Sequence, residues 1–162
     1  MARARKQVTK GGPYLAAALI CERVLADQDG AMSAIRIVDQ FTLTLDPATP
    51  PELPSKEHPI PVTLSILLIL KTGDSPGEHA IRLDMQYPSG KSETAFEQKI
   101  QFQPQPQSGA NLRFNVTIRV HSSGLFWMDV FLDSKRITRM PFQITIQRAD
   151  AAQQPAETPA AM

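Results

Sequence analysis

The stretch GLFWMDVFLDSKRITRMPFQITI, Gly124 to Ile146, puts apolar residues on every second position in two successive runs. Phe126, Met128, Val130 and Leu132 make one row; Met140, Phe142, Ile144 and Ile146 make the other. Period-two alternation is the mark of a strand with one dry face, and two such runs around a short polar break make an antiparallel hairpin. For like faces to oppose, paired residue numbers must sum to an even number. A plain two-residue turn cannot do this, so a bulge or a three-residue loop is expected at Ser134 to Arg136. That parity sends Trp127, Asp129 and Phe131 outward, with Phe131 expected opposite Arg139 and Trp127 opposite Gln143.

The same period recurs upstream. His79, Ile81, Leu83, Met85 and Tyr87 alternate with Ala80, Arg82, Asp84 and Gln86, and Leu112, Phe114, Val116, Ile118 and Val120 alternate with polar residues. Phe96, Ile100 and Phe102 repeat the pattern more weakly. Val62 to Leu70 (VTLSILLIL) starts by alternating and becomes apolar on both sides, as for a central strand whose far face is covered at one end. Ser33 to Leu45 reads as one strand, with Ile35, Ile37, Phe41 and Leu43 on its dry face. Asp39 shares that parity, so it is either buried and bonded to backbone donors or turned to solvent by a bulge at Val38 and Asp39. About eight short strands without an amphipathic helix indicate an all-β, antiparallel two-sheet sandwich of immunoglobulin-like form.

The chain divides into a basic arm (1–13), a sandwich domain (14–148) and a low-complexity Ala/Gln/Pro tail (149–162). Neither end can bury enough apolar surface to offset its ordering entropy, so both are expected to be flexible. Asp46 to Pro61 carries six prolines and reads as a long connection. The chain of 162 residues has a formal net charge of +1, which gives no global field toward nucleic acid. Its single cysteine, Cys21, excludes an intrachain disulfide and fits a cytoplasmic protein. Residues 1–26 also have the outline of a secretory signal, with an apolar run from Tyr14 to Cys21. Glu22 and Arg23 before the cleavage site argue against that, and the same residues make a first strand. No apolar run is long enough to span a bilayer.

Leu15 to Leu43, Ser75 to Lys91 and Gly124 to Ile144 together resemble a family of bacterial β-sandwich domains of unknown function. The likeness rests on an acidic-Gly turn leading to an I-x-I/V-x-D stretch, a Pro-Gly-Glu-His turn into an alternating strand, and the final hairpin with its closing Asp. It extends over residues 14–147 and implies a fold without implying an activity.

Chemistry is sparse. His58, His79 and His121 are scattered, without the close Cys or carboxylate company of a metal site, so no metal and no cofactor are expected. Asp27, Asp29 and Gly30 fit a turn better than a calcium loop, because no Glu follows at the required distance. Cys21 lies among apolar residues that favour an inert buried thiol. The remaining signal is Trp127 and Phe131 with Arg139 and Arg136 on the outer face of the last hairpin, residue types enriched at binding hot spots. A non-catalytic interaction or accessory module contacting a protein partner or a second copy is therefore expected. Two alternatives stay open: a carbohydrate-binding module stacking a sugar on Trp127, and an enzyme whose site needs His79, His121, Asp39 or Cys21 to converge.

Overall fold

A computed structural model describes residues 11–105 and 108–149. The expected arm and tail lie, apart from 11–13 and 149, outside the described residues. Among the described residues nine strands form and no helix: β1 (Tyr14–Ala26), β2 (Met32–Ile37), β3 (Gln40–Leu45), β4 (Ile60–Lys71), β5 (Gly77–Gln86), β6 (Ser92–Phe102), β7 (Gly109–Val120), β8 (Gly124–Leu132) and β9 (Lys135–Arg148). They build a four-stranded sheet, β2-β1-β4-β7, and a five-stranded sheet, β3-β9-β8-β5-β6. Their inner rows meet in one core, in which Leu64, Ile66, Leu68, Ile81, Leu83, Met85, Ile118, Phe126, Met128 and Phe142 are fully buried. Phe126 stacks on Phe142 with centroids 5.5 Å apart, and Phe96 stacks on Phe114 at 4.4 Å.

The stretch Ser33 to Leu45 is two strands rather than one. β2 lies in the four-stranded sheet and β3 in the five-stranded sheet, with the chain crossing at Val38 and Asp39. The crossing is fixed by two hydrogen bonds: Val38 N–H donates to the Ile20 carbonyl (3.0 Å), and Gln143 N–H donates to the Asp39 carbonyl (2.7 Å). Asp39 is exposed, turned outward by the crossing itself rather than by a bulge. β3 then runs parallel to β9, from Gln40 opposite Gln143 to Leu45 opposite Arg148, so the sandwich is not wholly antiparallel.

The final hairpin satisfies parity through a bulge. Asp133 and Ser134, at φ 49° and 68°, form a two-residue turn of the kind that follows the natural strand twist. Beside it Leu132 pairs with Lys135 and Phe131 with Arg136, an odd register; a bulge between Val130 and Phe131 restores the even one, with Phe126 opposite Phe142 and Met128 opposite Met140. The partners differ from the expected ones: Trp127 faces Pro141 instead of Gln143, and Phe131 faces Arg136 instead of Arg139. Parity is blind to a slip of two residues, which accounts for Trp127; at Phe131 the bulge adds one more, making a shift of three.

Candidate interaction surface

β8 lies between β5 and β9, so its outward residues acquire neighbours on both sides. Across the three strands, Gln86, Trp127 and Pro141 make one row; Asp84, Asp129 and Arg139 the next; Arg82, Phe131 and Arg136 the third. Asp84 and Asp129 sit directly opposite one another, an arrangement that like charge disfavours. Arginines relieve it. Arg139 donates to Asp129 from Nε at 2.6 Å and from Nη2 at 2.7 Å, a bidentate fork, and Arg136 Nη1 stands 3.7 Å away. Asp84 has Arg82 Nε at 3.1 Å and accepts from Thr94 Oγ1 at 2.9 Å. The bonds from Arg139 outweigh burial and hold the Asp129 carboxyl below its ordinary 3.8, although Asp129 is only 8% exposed.

The same arginines lie on the aromatics. The Arg139 guanidinium is 5.3 Å from the Trp127 ring centroid, and that of Arg82 is 4.5 Å from Phe131. Trp127 and Phe131 are half-buried. Part of their covering comes from arginine side chains of adjacent strands, whose guanidiniums lie over the rings. All four expected residues are thus brought together. Asp129, Arg82 and Asp84 complete the cluster; their parity marked them as outward, but nothing in the sequence says that β5 pairs with β8.

The other candidates do not assemble. His79, at the start of β5, offers Nδ1 to the Asp133 carboxylate and has Nε2 2.9 Å from the Ser75 carbonyl, so both ring nitrogens are engaged. Asp133 also accepts from Ala80 N–H at 2.9 Å. Burial pushes the Asp133 carboxyl up, but the bonds from Ala80 and His79 prevail and hold it below 3.8. The pair latches the β8–β9 turn to β5, a link the sequence did not disclose. His121 follows β7 at the opposite end of the sandwich and lines a groove with Tyr87, Glu93 and Arg119. Cys21 is buried, bonds to the Ser65 carbonyl at 3.6 Å, and has its thiol pKa raised by burial. Among the described residues no group of three or more His, Cys, Asp or Glu could hold a metal ion. No helix there is long and apolar enough to cross a membrane.

The four-stranded sheet has a second outer face. Cross-strand register places Ala17 beside Ile69, Leu19 beside Leu67, and Cys21 between Ser65 and Ile37. Leu67 and Cys21 are buried there, outside the sandwich core. Ile35 and Ile37, expected on a dry face, are instead 41% and 62% exposed, and Leu25 on the adjoining strand is 42% exposed.

These features define the class: an immunoglobulin-like two-sheet sandwich with an arginine-laced face on one sheet and, on the other, a mixed face where Leu19 and Leu67 adjoin the hydrogen-bonded pairs Thr63–Thr117 and Ser65–Asn115. The chain belongs to DUF6941, a family of unknown function whose model matches residues 16–145. No curated protein matches it. Among solved structures, β-glucosidase from Listeria innocua in complex with glucose is similar at 11% identity and a TM-score of 0.44, over 84% of this chain and 17% of the other. β-Glucosidase 3B from Thermotoga neapolitana in complex with glucose matches at 15% identity and 0.42, over 50% and 14%. Pseudomonas fluorescens alkylpurine DNA glycosylase AlkC, bound to DNA with an abasic site analogue, matches at 12% identity and 0.39, over 79% and 30%. The chain spans less than a third of each, and these likenesses carry nothing about activity.

Proposed function

We propose that the protein is a non-catalytic interaction module that takes a protein partner on the outer face of β5, β8 and β9. The observation that supports this reading is the half-exposed state of Trp127 and Phe131 under the arginines of their own sheet. An Arg-on-aromatic layer is already ordered, so a partner that adds to it loses little side-chain freedom on binding. The dispersal of His79, His121, Asp39 and Cys21 over both ends and both sheets favours binding over catalysis. A sugar stacking on Trp127 is disfavoured because Arg139 already occupies a face of the ring.

The test is quantitative affinity capture with the full chain as bait, comparing wild type, Trp127→Ala and Phe131→Ala. Loss of a central aromatic anchor is expected to weaken a captured partner by about 30-fold, equivalent to roughly 2 kcal/mol. Partners retained at equal strength by both variants would remove this surface.

A further inference from the structure

The four-stranded sheet splits at one end. The ladder of β1 with β4 stops at Cys21 opposite Ser65, although β1 runs on to Ala26 and β4 begins earlier, at Ile60. Past that pair β1 keeps only β2, with Arg23 opposite Ile35, and β4 keeps only β7, with Thr63 opposite Thr117. The parting strands leave a half-open cleft of about 580 Å³, whose lining includes Arg23, Thr63, Ser65, Arg113 and Asn115. Ser65 Oγ bridges its two walls, sharing its hydrogen between the Glu22 carbonyl at 3.1 Å and Asn115 Oδ1 at 3.0 Å.

Charge in this region is one-sided. The four strands carry Arg23, Arg36, Lys71, Arg113 and Arg119 against a single acid, Glu22, so the overall charge of +1 conceals a basic sheet. Glu22, the one carboxylate in the lining, has Arg36 Nε at 3.3 Å. Arg23 and Arg113 form no ion pair among the described residues, whereas Arg82, Arg136 and Arg139 on the other sheet each have one. Neutral donors are also in surplus. Asn115 keeps its amide N–H groups, and the Thr63–Thr117 hydroxyl pair, 3.0 Å apart, uses one hydrogen and leaves the other.

We propose that this cleft binds a phosphate group, free or carried by a larger molecule, between the guanidiniums of Arg23 and Arg113 and beside the Asn115 amide. The two arginines reach the cleft from β1 and β7, the strands that flank β4, so they can grip one group from opposite sides. A phosphate has a charge near −2 to match two unpaired cations, and enough oxygens to accept both guanidinium forks together with a neutral N–H or O–H. A carboxylate has one charge and two oxygens, and leaves part of this set unused. None of these residues belongs to the arginine-laced face, so the site does not depend on that reading.

Titration of the full chain with sodium phosphate at constant ionic strength, followed through the arginine Nε–H signals in proton–nitrogen NMR spectra, tests the proposal. Wild type is expected to saturate in the millimolar range, with Arg23→Gln and Arg113→Gln each weakening binding about tenfold. Asn115→Asp, which puts a carboxylate where the amide donates, is expected to abolish it. Lys99→Gln removes the same charge from the other sheet and should bind as wild type does, which separates a built site from net charge. Circular dichroism checks each fold, and two arginines on different strands keep the test valid if one variant misfolds. Glycerol phosphate, titrated in parallel, distinguishes the sources: tighter binding than inorganic phosphate points to a phosphate carried by a larger molecule, and equal or weaker binding to the free ion. Signals that never saturate overturn the proposal, as does binding unchanged in both arginine variants.

Discussion

The two sheets share one core but finish their outer faces by different means. On the five-stranded sheet the outward aromatics sit beneath Arg82 and Arg139, and the same guanidiniums neutralise Asp84 and Asp129. On the four-stranded sheet buried Leu67 lies between Leu19 and Arg113 and buried Cys21 between Ser65 and Ile37, and the exposed Ile35 and Ile37 lie at the edge. On the first face the same arginines serve both the carboxylates and the aromatic rings. On the second, hydrogen-bonded polar pairs between β4 and β7 give way to exposed isoleucines on β2.

The largest expected effect separates inside from outside within one strand. Leu68 and Leu67 are adjacent on β4, buried to 0% and 3%, but Leu68 points into the sandwich and Leu67 away from it. Leu68→Ala is expected to cost about 3–4 kcal/mol, and Leu67→Ala about 2 kcal/mol, because the space left at the outer site can collapse or admit water. Urea unfolding of both variants gives the difference; equal losses would mean that the outer face is packed as rigidly as the core.

Next comes the arginine-laced face. Asp129→Asn leaves Arg139 and Arg136 without their charged acceptor and is expected to cost about 1–2 kcal/mol near neutral pH. Asp129 and Asp133 are both held below their ordinary 3.8 in the folded chain. Their contribution is therefore complete above the unfolded value and lost as pH falls through the folded ones. Stability measured down to about pH 2 should decline less steeply in Asp129→Asn than in wild type. Parallel curves would place the acid sensitivity elsewhere.

Gly109 probes the four-stranded sheet from its other edge. A Cβ there would stand 1.9 Å from the Leu70 carbonyl oxygen, so Gly109→Ala must push β4 and β7 apart at their ends, at about 1–3 kcal/mol. A thermal melt unchanged from wild type would show that this end of the ladder yields freely. The smallest effect belongs to the hairpin turn, where Ser134 holds φ 68° without being glycine. Ser134→Gly should stabilise by about 0.5 kcal/mol, visible as a small rise in melting temperature.

Alternation in the sequence disclosed the core rows well: Phe126, Met128, Val130, Leu132, Met140, Phe142 and Ile144 are all buried. It failed at Ile35 and Ile37 for a definite reason. Period two tells which residues share a face, but not which face is inside, and the chain changes sheets at Val38 and Asp39. Odd residues before the crossing point out of one sheet, while Phe41 and Leu43 after it pack against the core of the other. The site was legible as far as one hairpin reaches, in Trp127, Phe131, Arg136 and Arg139. Arg82 and Asp84 enter through a pairing of β5 with β8 set by topology, and local sequence does not encode which distant strand lies alongside.

The parallel ladder of β3 with β9 bears on how the chain is assembled during synthesis. β2, β1, β4 and β7 all lie before β8 in the chain, so that sheet has every one of its strands before the last hairpin follows. β3, made long before, has no neighbour in its own sheet until β9 follows, about one hundred residues later. Until β9 is available, Phe41 and Leu43 have no ladder partner, which makes β3 the strand that waits longest for its neighbour.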